Sequence, residues 1–242
     1  MIEKRHPTLM FFTGPRAFPW MALLAAVFMG CATFSGPPGE TRWQCDPAAD
    51  AAVEQGQWEA AAEAHERLLE REPGNGLALY HLGYLKGKMG DREAEIDYYL
   101  EAIESGYDQD DQLYFNLGMA YGDLDPTAAS EAFERAVELD PNSADNHFGL
   151  ALMADTLGRT EQAVQALKTA LELQPDHLDA MLLLARIDLD LSRWTEAAEL
   201  LDRVLELDPS NEDAQELIEI LNFRRHVQYE RVALPSLSPP ES

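Results

Sequence analysis

The side chains of this sequence that could do more than pack are its histidines, its two cysteines and a few acidic clusters. A metal centre needs ligands brought together at short spacing, such as two histidines four apart on one helix. His65, His81, His147, His177 and His226 offer no pair of that kind and read as partly exposed helix or turn residues. A calcium loop needs a twelve-residue frame with Gly at its sixth place and Glu at its last. Asp108, Asp110 and Asp111, and again Asp123 and Asp125, lack that frame and read as solvated turns. No phosphate loop, dinucleotide-binding glycine cluster or nucleophile elbow is present, so the chain is not expected to be an enzyme and implies no cofactor.

The thiol with a definable chemistry is Cys31. Lys4, Arg5 and Arg16 stand against a single Glu3 ahead of the apolar run Phe18 to Gly30, the shape of an export signal. That run is 13 residues, short of the roughly 20 that a spanning helix needs. It ends in Val27-Phe28-Met29-Gly30-Cys31, which resembles a bacterial lipobox, although Phe28 and Met29 depart from its commonest form. The resemblance implies cleavage after Gly30 and lipidation of Cys31, whose thiolate is the nucleophile. With Ala32 following, it further implies the outer membrane of a diderm bacterium, facing the periplasm. The other reading is a plain signal peptide that leaves Cys31 and Cys45 free to pair. Ser35 to Gly39 then reads as an extended tether.

Over 242 residues, 18 Lys plus Arg face 44 Asp plus Glu, a net charge of −26. A field of that sign repels phosphate backbones and anionic lipids, which argues against nucleic acid as a partner. Solvated helix faces account for such acidity without any ligand.

The elements that carry these residues recur. Pro141, Pro175 and Pro209 are spaced by 34 residues, and Pro73 lies two periods before Pro141. Between them run pairs of short amphipathic segments separated by Gly or Ser, the pattern of packed antiparallel helices. Tyr114, Leu117, Gly118, Tyr121, Ala129, Phe133, Ala136 and Pro141 resemble the tetratricopeptide repeat almost throughout. Leu150, Ala151, Gly158, Ala163, Leu167, Ala170 and Pro175 repeat the pattern, as do Leu184, Ala185, Trp194, Ala197, Leu201, Val204 and Pro209. Leu82, Gly83, Gly90, Tyr99 and Ala102 keep part of it, and Gly56, Trp58, Ala61 and Pro73 form a worn first unit.

The resemblance implies an all-α, right-handed α-solenoid of about five helix hairpins over 46–228, with units near 42–75, 76–109, 110–143, 144–177 and 178–211. Residues 1–30 are then the signal, 31–45 the lipidated cysteine and tether, 212–228 a capping helix, and 229–242 a disordered tail. In the cap, Leu217, Ile218 and Leu221 cover the last repeat while Glu212, Asp213, Glu216 and Glu219 face water. The third unit is one residue short between Tyr121 and Ala129, which predicts a tightened turn.

The same frame aims Tyr80, Tyr84, Phe115, Met119, Phe148, Leu152 and Leu182 at the concave face, rimmed by Asp123, Asp145, Asp155, Asp179 and Asp190. Aromatic anchors inside an acidic rim suit a protein or peptide carrying apolar and basic residues. Packing of those rings against the next hairpin is the competing reading. The basic residues of a carboxylate clamp are missing from Tyr80, Tyr84, Phe115 and Phe148, so that branch of the family is not implied. What the resemblance implies is a membrane-anchored adaptor in assembly of an envelope machine such as a pilus, a secretion channel or an outer-membrane complex. The alternative is a passive acidic lipoprotein that binds nothing tightly.

Overall fold

A computed structural model describes residues 46–233, and among the described residues there are eleven helices and no strand. The signal segment, Cys31, the tether, Cys45 and residues 234–242 lie outside that span. Five hairpins follow one another: α1 (Pro47–Glu54) with α2 (Trp58–Arg71), α3 (Gly76–Lys88) with α4 (Arg92–Glu104), α5 (Asp111–Tyr121) with α6 (Pro126–Leu139), α7 (Ala144–Thr156) with α8 (Thr160–Leu173), and α9 (Leu178–Asp190) with α10 (Trp194–Leu207). A single helix, α11 (Glu212–Ala233), closes the array.

The first helix of each pair starts where a side chain accepts a backbone N–H of the first turn. Asp46, Asn75, Asp110, Ser143 and His177 fill that role. The hairpins turn on a left-handed residue that lets the chain reverse after a Schellman closure. Gly56, Gly90 and Gly158 take this place with φ of 69, 82 and 69°, and Ser192 takes it at φ 60°. The six-residue closures are Gln57 N to Ala52 O, Asp91 N to Lys86 O, Arg159 N to Ala154 O and Arg193 N to Asp188 O. The third hairpin differs as its missing residue predicts. Its α5 has 11 residues where α3, α7 and α9 have 13, and Leu124 N bonds back to Tyr121 O at 2.7 Å.

The 34-residue interval is also the interval of the core. Tyr99, Phe133, Leu167 and Leu201 recur at that spacing and are fully buried, each followed three residues on by buried Ala102, Ala136, Ala170 or Val204. Burial of such side chains contributes about 1.5–3 kcal/mol each for the larger ones. Several polar residues stand at core places of the same interval, His65 and Glu95 among them. His65 occupies the place of Tyr99 in the first unit and is 2% exposed. Glu95 occupies the place held elsewhere by Ala61, Ala129, Ala163 and Ala197, and its carboxylate accepts from Arg92 at 2.9 Å. Burial pushes the Glu95 carboxyl upward even so. Gly87 makes the room, since a Cβ there would run into that carboxylate.

Each second helix packs on the first helix of the next hairpin, and α3, α5, α7, α9 and α11 also touch in succession. The protein is therefore an all-α solenoid in which the first helices from α3 onward form one continuous layer. In α11, Leu221 is buried and Leu217, Ile218 and Ile220 pack on the last hairpin, whereas Glu212, Asp213, Glu216 and Glu219 are exposed. Glu219 falls where earlier first helices carry Gly83, Gly118, Ala151 or Ala185 against a second helix. A carboxylate at that contact stops the stack. The helix runs past the expected end at 228 to Ala233, because no Gly or Pro interrupts it before Pro235. No described helix is long and apolar enough to cross a membrane.

Candidate peptide-binding groove

Along the layer of first helices, one stripe of side chains repeats at steps of three and four residues. It comprises Tyr80 and Tyr84 on α3, Phe115 and Met119 on α5, Asp145, Phe148, Leu152 and Asp155 on α7, and Asp179, Leu182, Arg186 and Asp190 on α9. Such steps return to the same helix face, so the stripes of neighbouring helices run side by side.

The aromatic residues divide by what their rings touch. Tyr80 is half-buried with its ring stacked on Tyr107 at 5.7 Å and beside Tyr99 at 5.8 Å, and its hydroxyl accepts from Asn116 Nδ2 at 3.1 Å. Burial drives that hydroxyl far above the ordinary phenol range. Phe148 is 7% exposed and lies 5.0 Å from the ring of His177. Both rings serve contacts between hairpins. Phe115, Met119 and Leu152 pack their inner sides on the cluster of Ala129, Phe133 and Met153 and remain half-exposed. Tyr84 and Leu182 are also half-buried, and Lys88 Nζ sits 5.0 Å from the Tyr84 ring centre. The accessible apolar strip is thus Tyr84, Phe115, Met119, Leu152 and Leu182.

The acidic rim divides as well. At the C-terminal ends of the helices, Arg186 Nη2 of α9 pairs with Asp155 of α7, and Arg224 Nη2 of α11 pairs with Asp190 of α9 at 3.0 Å. Arg224 also donates to Leu189 O at 2.7 Å, tying the cap to the last carbonyls of α9. At the N-terminal ends, exposed Asp145 faces His177 Nε2 at 3.2 Å, a contact that holds its carboxyl below the ordinary range. Asp179 is half-buried, and burial raises its carboxyl, opposed by neighbouring His177 and aided by the charges of Asp213 and Asp145. Asp123 sits exposed in the shortened turn.

His81 and His147 are half-buried and His226 is exposed, as the sequence predicts, whereas two histidines correct the expectation of partial exposure. His65 and His177 are 2% and 7% exposed. His65 and His81 lie edge to face, 5.0 Å apart, although 16 residues separate them in sequence. Burial lowers His65 to about 4 and His81 to about 3. Among the described residues no group of three or more His, Cys, Asp or Glu is arranged to hold a metal ion. Sequence reasoning also passed over Arg186 and Arg224, which pair with the rim, and over exposed Phe223, and it placed Asp213 only as a solvent-facing residue of the cap. The 34-residue step from Asp179 and Leu189 reaches Asp213 and Phe223, and that step was the available signal.

Tetratricopeptide repeat family models match residues 47–112, 111–143, 132–165 and 156–221, which together run through all five hairpins. The chain is a tetratricopeptide repeat protein. Solved structures with the same fold include MamA, with 24% identity, a TM-score of 0.62, and coverage of 67% of this chain and 95% of that one. YrrB, described as a tetratricopeptide repeat protein with an unusual peptide-binding site, has 22% identity and a TM-score of 0.63 over 71% of this chain and 88% of its own. PilF of Pseudomonas aeruginosa has 20% identity and a TM-score of 0.63 over 71% and 80%. No curated protein matches the sequence. At these identities the likeness concerns the fold of the solenoid alone.

Proposed function

We propose that this tetratricopeptide repeat protein is a non-catalytic, membrane-anchored periplasmic adaptor that holds a protein or peptide partner in the groove of its first helices, in the assembly of an envelope machine. The observation that carries the binding role is the half-exposed strip Tyr84, Phe115, Met119, Leu152 and Leu182, continuous across four hairpins beside carboxylates. Aromatic and long aliphatic side chains at the centre of a polar-rimmed surface supply most of the binding energy in such sites. The peptide-binding site of YrrB, on a solenoid of the same fold, supports the same use of this one. The anchor rests on the run to Cys31, and the mass of the mature N-terminus tests it: a diacylglyceryl Cys31 is expected, and an unmodified terminus overturns it.

The binding role is tested by affinity purification from detergent-solubilised envelopes, comparing the wild type with a Tyr84→Asp, Phe115→Asp double variant whose helicity is checked by circular dichroism. Loss of one partner from the folded variant alone is the expected result. Identical eluates would remove the groove as the site. The internal pairing of Asp155 and Asp190 favours a second reading, a passive acidic lipoprotein, which predicts no salt dependence of partner recovery between about 0.05 and 0.5 M.

A further inference from the structure

The first hairpin is joined to the solenoid less firmly than any later unit. From α5 onward, a first helix touches both the second helix before it and the first helix before that. Among the described residues α3 touches only α2 of the first hairpin, and α1 touches α2 alone. That single joint also carries a pair of histidines. His65 of α2 is 2% exposed and stands edge to face with His81 of α3, 5.0 Å away. One period on, the same two places hold Tyr99 and Phe115, and three periods on they hold Leu167 and Leu183. His65 Nδ1 is buried with no hydrogen-bond partner.

The groups facing this pair come from four elements. Asp46 caps α1 beside Asp50, and its charge favours a proton on His65, but Arg71 of α2 lies 3.9 Å from it. Lys86 of α3 reaches Glu66 of α2 at 3.5 Å, the one ion pair across the joint among the described residues. Tyr80 of α3 lies 5.6 Å from the His81 ring, and Tyr98 of α4 packs on the apolar cluster of the joint. Burial outweighs Asp46 at His65, and at His81 burial and the neighbouring ring act together. Both rings therefore refuse protons in the closed joint that separated helices accept below about 6.5, so opening is favoured as pH falls and is indifferent to pH above that value. His177, at the fourth joint, differs in having the Asp145 carboxylate 3.2 Å from Nε2 to receive a charge.

We propose that the first hairpin is an acid-released unit: protonation of His65 and His81 lifts α1 and α2 off α3 while the later hairpins and the cap stay folded. Release uncovers Leu82 and Leu85 of α3, which in the closed joint share one cluster with Ala52, Val53, Ala61 and Ala62. It also turns residues 46–75 into chain that can extend by about 100 Å ahead of the remaining solenoid. The worn pattern of the first unit suits this use, because a joint with fewer apolar contacts opens at a smaller cost than the global fold.

The test is hydrogen exchange read by mass spectrometry on the purified full-length protein in detergent, at about pH 7.5 and about pH 5.5, with intrinsic exchange rates corrected. Protection over residues 46–88 is expected to fall at least about tenfold on acidification, while that over 111–221 changes less than about threefold. A His65→Leu, His81→Phe variant installs residues found at these places in later units, and its loss over 46–88 should be no more than about twofold. An equal loss over all five hairpins shows that acid acts on the whole fold and overturns the proposal. No loss at all, or the same loss in the variant, overturns it too. Should circular dichroism show the double variant unfolded, His65→Leu alone decides. It is expected to keep at least about fivefold more protection over 46–88 at the lower pH than the wild type, and a smaller difference sinks the assignment to this pair.

Discussion

Arg186 on α9 donates to Asp155 on α7, 31 residues back in the chain, and so joins two first helices that belong to successive hairpins. Arg224 on α11 makes the same kind of link to Asp190 on α9. These pairs close one edge of the groove with charges from inside the protein. Asp155 and Asp190 look like a binding rim in the sequence, yet in the fold they hold the solenoid's repeats in line.

Arg186→Gln is expected to lower the unfolding free energy by about 1 kcal/mol at low ionic strength, since the pair is partly exposed and screened by water. The loss should shrink at about 0.5 M salt, where the Debye length falls well below that of physiological solutions. A double-mutant cycle with Asp155→Asn, followed by urea unfolding, measures the coupling directly. Additive single losses would show that the pair contributes nothing of its own.

His65 and His81 give the protein a weakness to mild acid. Burial keeps both neutral when folded down to about 4 and about 3, whereas an unfolded histidine titrates near its ordinary 6.5. Below 6.5 the unfolded chain therefore binds protons that the folded chain refuses, and stability falls as pH falls. It is complete above 6.5 and declines towards the folded values. The carboxyls of Asp50, Glu95, Asp111, Asp179 and Asp188, all raised by burial, act in the opposite sense and offset part of the fall at more acid pH, so the histidine slope is read just below 6.5. There the slope should approach about 1.4 kcal/mol per pH unit for each histidine. His65→Leu, which installs the residue found at this place in later repeats, should halve the slope in urea titrations, and an unchanged slope would assign it to other groups.

The period of the prolines and the small residues was legible because a repeat fold writes the same contact once per unit. Gly83, Gly118, Ala151 and Ala185 mark the hairpin crossings in any aligned unit, and the missing residue after Tyr121 announced the altered turn. The uses of Phe115 and Phe148 were not legible. They hold equivalent places, but His177 covers Phe148 while Phe115 keeps an open side, and that difference arises on a neighbouring helix. The same holds for the rim, where reach across helices decides that Asp190 meets Arg224 and that Asp179 meets no arginine. His65 was hidden in the worn first unit, whose few family residues gave no reason to count it as core.

Ser192 is the described non-glycine residue with positive φ, at 60°, in the turn where Gly56, Gly90 and Gly158 serve the other hairpins. A side chain there costs backbone energy that glycine avoids. Ser192→Gly is expected to stabilise the protein by about 0.5–1 kcal/mol, less the greater freedom glycine gives the unfolded chain. A rise of a few degrees in melting temperature is the readout, and a fall would show that the serine side chain has a compensating contact.

Phe133 illustrates how two repeats share one space. Its ring is fully buried, and a Cβ on Gly118 would approach it to 2.9 Å, while a Cβ on Gly149, in the next hairpin, would run into it. One interval later the same two places are Leu167 and Leu183, both buried, so a large ring opposite no side chain has become two medium ones. Gly149→Ala alone should therefore cost about 1–3 kcal/mol by overpacking, in spite of the better helix propensity of alanine. Phe133→Leu alone should also destabilise, by leaving a cavity. Combined, the two changes move towards the Leu167–Leu183 arrangement, and the double variant should be more stable than the sum of the single losses by at least about 1 kcal/mol. Strict additivity in urea unfolding would mean that the glycine is kept for the backbone and not for the ring.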